Sequence, residues 1–226
     1  MPKMNMKQKC AKAALEYITD DTIIGLGGGS TIGYLIKFIK EEKLNVKVVT
    51  PSLKTKHLCV NQGLEVLPTS TVDEVDVAFD GCDEVDEKLH ALKSGGGIHT
   101  LEKLIANMAK EYILLVDDSK VVPELTYKHP VVLEILQDSL AFVQKKAGEM
   151  GGKAEVRASS VKDGHTVSDY GNFLVDVWFE AEQDGRQLET KLKEIPGVLD
   201  VSLFTTVVSK ALVASKVGIY EISKRD

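Results

Sequence analysis

The chain has few cysteines, no cluster of basic residues and no long apolar run. Each absence narrows what it can be. Three cysteines (Cys10, Cys59, Cys82), none at C-x-x-C spacing, fit reduced thiols and make a zinc site improbable. With 28 Lys and Arg against 34 Asp and Glu the formal charge is −6, and no Lys/Arg cluster offers a phosphate backbone its usual partner, so nucleic acid is not expected. Residues Met1 to Leu15 carry lysines and no continuous apolar stretch, so neither a secretory signal nor a membrane span is expected and the chain reads as cytoplasmic. Internal repeats and low-complexity segments are also missing. The remaining composition, 43% hydrophobic and 27% charged over 226 residues, is that of a folded globular protein with one large domain or two small ones.

The chain does hold a concentration of chemistry. Asp80-Gly-Cys-Asp-Glu-Val-Asp86, then Lys93-Ser-Gly-Gly-Gly97, then Glu102 bring paired carboxylates, a lysine, a glycine loop and another carboxylate into 23 residues. Carboxylates serve as general acids and bases, a lysine neutralises a developing oxyanion, and glycines let backbone N–H groups approach a small polar substrate. Upstream, Gly25-Leu-Gly-Gly-Gly-Ser-Thr31 lies between a strand pattern and a helix pattern, where N–H groups would cradle a phosphate. It is neither of the common nucleotide loops. The third glycine of a dinucleotide fingerprint is replaced by Ser30, and the second strand ends in Val49, Thr50 and Pro51 with no acid for a ribose. No lysine stands beside Ser30 and Thr31 as a Walker A loop requires. A sugar phosphate is the better ligand, although the glycines could serve only helix–sheet packing.

Strand and helix patterns alternate through the first half: a helix over 6–18, strands at 22–26, 46–50, 64–68 and 75–80, helices at 32–39 and 53–62, and a helix from Thr100 with Leu101, Leu104, Ile105, Met108 and Tyr112 on its apolar face. A strand at 112–116 follows. Alternation of this kind predicts a parallel sheet with right-handed crossovers. From about His129 the order becomes β-α-β-β-α-β, with strands at 131–136, 154–158, 173–179 and 198–203 and helices at 138–150 and 186–194, the signature of a ferredoxin-like unit. The fold class is therefore α/β, a parallel-sheet domain over 1–128 plus 204–226 with a smaller ferredoxin-like α+β domain, 129–203, inserted; Val207 to Ile222 returns to the first sheet. In the acidic segment, Glu84, Asp86 and Glu87 read as a solvated turn. Asp80 ends an apolar strand, where open α/β sheets bind ligands, and with Asp83 reads as functional. Clustered carboxylates beside a phosphate also suit Mg²⁺, which stays open at this point. Glu102, in the first turn of its helix, would be kept ionised by the helix N-terminus.

The two glycine segments, the acidic segment, Glu102-Lys103, Val116-Asp-Asp-Ser-Lys120 and Ile195-Pro-Gly-Val198 resemble, in order and spacing, the ribose-5-phosphate isomerases of the A type over nearly the whole chain. The resemblance implies a Rossmann-like catalytic domain and interconversion of ribose 5-phosphate and ribulose 5-phosphate through an enediolate, a step of the pentose phosphate pathway. It implies no metal and no organic cofactor, and assembly as a homodimer or homotetramer. It makes Glu102 the base. Lys93 with the N–H groups of Ser94, Gly95 and Gly96 would hold the oxyanion, and Asp80 and Asp83, with Gly81 and Cys82 between them, would contact the sugar and help open its ring. Gly28, Gly29, Ser30 and Thr31 would take the phosphate, with Lys120 and Lys7 supplying positive charge. The chain departs from the family pattern at Gly28, where threonine is usual, at Ser94 for glycine, at Leu101 for arginine and at Tyr170 for asparagine. The alternatives are a non-catalytic sugar-phosphate sensor and an isomerase of another sugar phosphate.

Overall fold

The computed structural model describes residues 4–161, 163–180 and 183–224. The first element is α1 (Met6–Ala14), whose N-cap Asn5 and Gln8 bond each other's backbone N–H in a reciprocal capping box. Then come β1 (Thr22–Leu26), α2 (Ser30–Glu41), β2 (Val46–Val49), α3 (Leu53–Asn61), β3 (Glu65–Val66) and β4 (Val75–Asp80). Two short strands, β5 (Glu84–Asp86) and β6 (Ala91–Leu92), lead to α4 (His99–Met108), β7 (Ala109–Asp117) and β8 (Val121–Val122). The middle of the chain is β9 (Val131–Ile135), α5 (Leu140–Glu149), β10 (Gly152–Val156), β11 (Phe173–Phe179), α6 (Gly185–Lys193) and β12 (Val198–Val201). The chain finishes with β13 (Leu203–Phe204), β14 (Lys210–Ala214) and β15 (Ile219–Ser223).

Three sheets result. The large one has the order β15-β14-β7-β4-β1-β2-β3, parallel except for the β14–β15 hairpin at its edge. This is the expected parallel sheet, with the C-terminal segment rejoining it. The second, β10-β11-β9-β12, is antiparallel throughout and carries α5 and α6 on one face, the ferredoxin-like arrangement. The third, β13-β6-β5-β8, was not anticipated, because 84–92 reads as a polar turn. It forms because Glu84 and Asp86 have internal partners: Glu84 accepts from the N–H and hydroxyl of Thr126, and Asp86 Oδ1 accepts from the N–H groups of Lys88 and His90 at 2.9 and 2.8 Å. Both carboxylates are buried, and of the three acids read as solvated only Glu87 is exposed. Other differences are smaller. The third strand shrinks to Glu65–Val66, and the last strand of the antiparallel unit splits at Ser202 into β12 and β13. The connection from β10 to β11 is a long excursion bridged at Ala158–His165 and Val167–Phe173.

The parallel sheet is covered on both sides, as such sheets require. On one face α1 and α2 bury Cys10, Ala14, Ile32, Leu35, Ile36 and Ile39 against Ile24, Leu26, Val77 and Phe79. Each large aliphatic side chain fully buried in this way contributes about 1.5–3 kcal/mol. On the other face Ile105 and Ala106 of α4 pack with Val85 and Phe204 of the small sheet and with Leu89 in the turn between β5 and β6. The face of α4 is not the one its apolar residues suggest: Leu104 is exposed, whereas His99, Glu102 and Lys103 are buried beside Ile105 and Ala106. Polar residues take that face because partners meet them there, β12 and α6 of the antiparallel unit for His99 and Lys103 and Lys93 for Glu102. Among the described residues no helix is long and apolar enough to cross a membrane, and all three cysteines are free thiols.

Candidate active site

The glycine turn joins β1 to α2 and divides its work between packing and an open surface. Gly25 and Gly27 are packing positions. A Cβ on Gly25 would lie 2.6 Å from that of Ala78, and one on Gly27 would lie 2.0 Å from Asp80 Oδ1, so the Asp80 carboxylate can sit against the turn only because Gly27 has no side chain. Gly29, at φ 93°, is the N-cap of α2 and needs the left-handed freedom of glycine. Gly28, Gly29, Ser30 and Thr31 line a cleft of about 200 Å³ with Lys7, Gly81, Cys82, Asp117 and Lys120. Lys7, reaching over from α1, donates to Ser30 Oγ at 2.9 Å. The first N–H groups of α2 have no partner within the helix and two lysines stand beside them, the kind of surroundings that suit an anion.

A second cleft, of about 320 Å³, shares Gly28, Gly29, Gly81 and Cys82 with the first and extends to Asp80, Asp83, Lys93, Gly95, Gly96, Ile98 and Glu102. At its floor three buried ionisable side chains meet. Lys93 Nζ lies 3.0 Å from Asp80 Oδ2 and 3.4 Å from Glu102 Oε1, and it also donates to the Gly81 carbonyl. Its backbone N–H is fixed by the Ser202 carbonyl at 2.9 Å, at the point where the chain passes from β12 to β13. Burial alone would lower the Lys93 pKa, but the Asp80 and Glu102 carboxylates outweigh it and hold the ammonium charged. Asp80 Oδ1 accepts from Gly81 N–H at 2.8 Å and faces Gly28 N–H at 3.4 Å, while Oδ2 takes Lys93 and the Tyr112 hydroxyl, the latter at 3.1 Å.

Glu102 corrects one expectation. Burial, then the Asp80 charge, push its carboxyl well above the usual glutamate range, and Lys93 offsets only part of this. The helix terminus cannot keep it ionised: a macrodipole contributes about 0.3–1 kcal/mol, under one pKa unit, whereas full burial moves a carboxyl by several units. Its Oε2 is buried with no hydrogen-bond partner among the described residues. Glu102 therefore has one oxygen tethered to Lys93 and one without a partner, on a carboxyl that burial and Asp80 make easier to protonate.

The glycine loop after Lys93 differs from expectation too. The N–H groups of Ser94 and Gly95 donate to Asp83 Oδ2 at 2.7 and 3.0 Å, so an oxyanion would meet Lys93 and Gly96 first. Asp83's other oxygen is left for the cleft. Ser94, the departure from glycine, spends its hydroxyl on the Pro130 carbonyl.

Several residues of the site were not found from sequence. Arg157, paired with Asp176 at 2.6 Å, donates to the Ser94 carbonyl at 2.8 Å, and Leu174 closes under Gly97, where a Cβ would lie 2.4 Å away. Glu134 accepts from Thr100 in the first turn of α4 and from Ser168 and Asn172. Lys103 bonds Glu189 at 2.7 Å, Asp200 at 2.9 Å and the Val201 carbonyl at 2.7 Å. The antiparallel unit thus grips both the glycine loop and the helix that bears Glu102. Only the buried strand position of Tyr112, on β7 next to β4, could have been suspected from alternation. Of the residues expected at the site, Lys7, Gly28–Thr31, Gly81, Cys82 and Lys120 meet at the first cleft and Asp80, Asp83, Lys93, Gly95, Gly96 and Glu102 at the second; Ser94 supports the loop, and Tyr170 is exposed on the excursion between β10 and β11. Among the described residues no group of three or more His, Cys, Asp or Glu side chains is arranged to hold a metal ion.

Fold and site together define a Rossmann-like α/β protein with a lysine-bridged carboxylate pair beside a glycine-rich turn. Residues 47–218 match the family model described as ribose 5-phosphate isomerase A (phosphoriboisomerase A). Ribose-5-phosphate isomerase A of Pyrococcus furiosus is 38% identical over 97% of this chain and 98% of its own. The solved structure of ribose 5-phosphate isomerase A from Methanocaldococcus jannaschii superposes with a TM-score of 0.90 at 37% identity, covering 97% of this chain and 98% of that one. A D-ribose-5-phosphate isomerase solved in complex with phospho-erythronic acid gives 0.92 at 33% identity, with 98% and 100% covered. The chain belongs to the ribose 5-phosphate isomerase A family. Residues 3–72 also match a model of the DeoR C-terminal sensor domain, a segment that ends before Asp80.

Proposed function

We propose that the protein interconverts D-ribose 5-phosphate and D-ribulose 5-phosphate, with Glu102 as the base that carries a proton between C2 and C1. The observation that carries this reading is the unpartnered, buried Oε2 of Glu102 next to a lysine-bound Oε1, at the floor of a cleft continuous with an anion-binding turn. Glu102 removes the C2 proton of the open-chain aldose, electron density moves to the C1 oxygen, and Lys93 lies where that oxygen becomes charged. The proton then returns to C1 while the proton of the C2 hydroxyl passes to the C1 oxygen, leaving the ketose. Asp83, with one oxygen free, meets the sugar hydroxyls during ring opening; Asp80 contributes mainly by holding Lys93. Gly28, Gly29, Ser30 and Thr31 take the phosphate between Lys7 and Lys120. Phospho-erythronic acid, the ligand of a related enzyme, is a phosphorylated polyhydroxy acid of the kind these two clefts suit.

The same reading divides the chain into a catalytic unit, 1–128 with 204–226, and an antiparallel unit, 129–203, that braces the site through Arg157, Glu134, Glu189 and Asp200. It carries with it assembly as a homodimer or homotetramer, and residence in the reducing cytoplasm, which three free thiols suit. A sensor reading, favoured by the DeoR-type match, covers only residues 3–72 around the glycine turn and leaves Lys93 and Glu102 without a task.

The test is direct: purified protein mixed with ribose 5-phosphate should form ketose and should leave free ribose almost untouched. Charge-assisted hydrogen bonds to phosphate are worth roughly 1.5–3 kcal/mol each. Lys120→Ala should accordingly raise KM on the order of tenfold or more with kcat little changed. Ribose turned over as readily as its 5-phosphate would remove the phosphate assignment, and saturable binding of ribose 5-phosphate without turnover would favour the sensor.

A further inference from the structure

Tyr112 belongs to none of the motifs, yet its hydroxyl reaches the centre of the site. It lies on β7, in register with Ala78 of β4, and donates to Asp80 Oδ2 at 3.1 Å, the same oxygen that pairs with Lys93 Nζ at 3.0 Å. The ring is buried and stacked on Phe204, with centroids 6.1 Å apart and planes 22° from parallel, so it has little freedom to swing away. Lys93 and Lys103 lie over the same Phe204 ring, at 5.6 and 4.9 Å. Burial first, then the Asp80 and Glu102 carboxylates, hold the phenol protonated, so it is a permanent donor.

The geometry around Lys93 gives that donor a task. The ammonium is divided between Asp80 and Glu102, 0.4 Å nearer to Asp80 (3.0 against 3.4 Å). A carboxylate oxygen whose charge is partly met by a phenol pulls less on an ammonium than one that faces it alone. We propose that Tyr112 is a positioning residue for the isomerisation: by occupying Asp80 Oδ2 it keeps Lys93 shared with Glu102 instead of drawn on to Asp80. The inference rests on the isomerase reading and on Glu102 as the base.

The other titratable groups facing this point are few. Asp80 comes from β4, Cys82 from the turn after it, Lys93 from the loop after β6, and Glu102, His99 and Lys103 from α4. Burial pushes the Cys82 thiol up to about 12, and burial with Lys103 lowers His99 to about 4, so both stay neutral over the working range. Lys103 is committed to Glu189 and Asp200. The charge balance on Glu102 is thus set by Asp80 and Lys93.

Tyr112→Phe removes the hydroxyl and keeps the stacked ring. With Lys93 withdrawn, ionised Glu102 loses support, so the acid limb of the kcat–pH profile should move to higher pH by roughly half a unit to one unit, a loss of about 3–10-fold below the limb that disappears above it. KM should stay within about twofold, since the phosphate cleft is untouched. Replacing Tyr112 by 3-fluorotyrosine, a stronger donor of the same shape, should move the limb the opposite way, and serves also if the phenylalanine variant folds poorly. A profile of unchanged position in both proteins, or an equal loss at every pH, would reduce Tyr112 to a structural residue while leaving the isomerase reading intact. A parent protein with no turnover would overturn both.

Discussion

Glu102→Gln should lower kcat by about 10²–10⁴-fold, the range expected when a positioned general base is removed, and leave ribose 5-phosphate binding nearly unchanged. The loss corresponds to roughly 2.7–5.5 kcal/mol of transition-state stabilisation. Glutamine keeps the shape and the oxygen that faces Lys93, so phosphate turn, loop and clefts should persist. Stability should respond in the other direction. Glu102 binds its proton more tightly in the folded protein than in the unfolded chain, because it is buried beside Asp80. Folded stability must therefore decline as pH rises from the usual glutamate range through the raised value of Glu102. The glutamine variant escapes that decline, and its Tm should match or exceed the parent's at alkaline pH. A variant that kept parental turnover would move the base to Asp83, the nearest carboxylate with an uncommitted oxygen.

Lys93→Met should cost as much, through two losses at once. The first is the cation for the oxyanion; single donors of this kind contribute on the order of 10²–10³ in kcat. The second is the cation that holds Asp80 and Glu102 together. Without it two buried carboxylates face each other, and Glu102 takes up a proton at still higher pH, so the base is lost over a wider range. The variant should differ from Glu102→Gln in its stability profile: its Tm should fall as pH rises, steeply where the parent falls gently, because both carboxylates then ionise unpaired. Lys93→Arg should not restore activity, since the planar guanidinium cannot replace an ammonium that meets Asp80, Glu102 and the Gly81 carbonyl at one point. Activity near the parent's in either variant would take Lys93 out of the chemistry.

What the sequence disclosed was local. Strand and helix periods located the parallel sheet and the ferredoxin-like order, because each period reports a buried face built from near neighbours in the chain. The glycine turn, Asp80, Asp83, Lys93 and Glu102 were legible for a similar reason: they fall in two short stretches of chain, the turn after β1 and the run from the end of β4 to the first turns of α4. The rest depends on contacts between distant segments. Glu84 and Asp86 look like solvated acids until Thr126 and the backbone after Asp86 close on them. The buried face of α4 could not be read from its apolar residues, because Lys103 is buried against acids 86 and 97 residues away and half-buried Thr100 bonds Glu134, 34 residues on. Arg157 has no local signature at all and Tyr112 shows only as a buried strand position; their importance lies in distant partners, Asp176 and the Ser94 carbonyl for Arg157 and Asp80 Oδ2 for Tyr112. The ionisation of Glu102 was misjudged because a helix position is visible in sequence and the depth of its burial is not.

The claim at the centre is that a proton, carried by Glu102, moves between C2 and C1. The most direct measurement is isotope exchange: ribose 5-phosphate deuterated at C2 is converted in ordinary water, and the label at C1 of ribulose 5-phosphate is followed through many turnovers by mass spectrometry. A glutamic acid exposed to the cleft exchanges its proton before returning it, so deuterium should be lost to solvent as ketose forms, and Glu102→Gln should lose exchange and turnover together. Full retention of the C2 deuterium at C1 through complete equilibration would mean a hydride shift and would contradict the account.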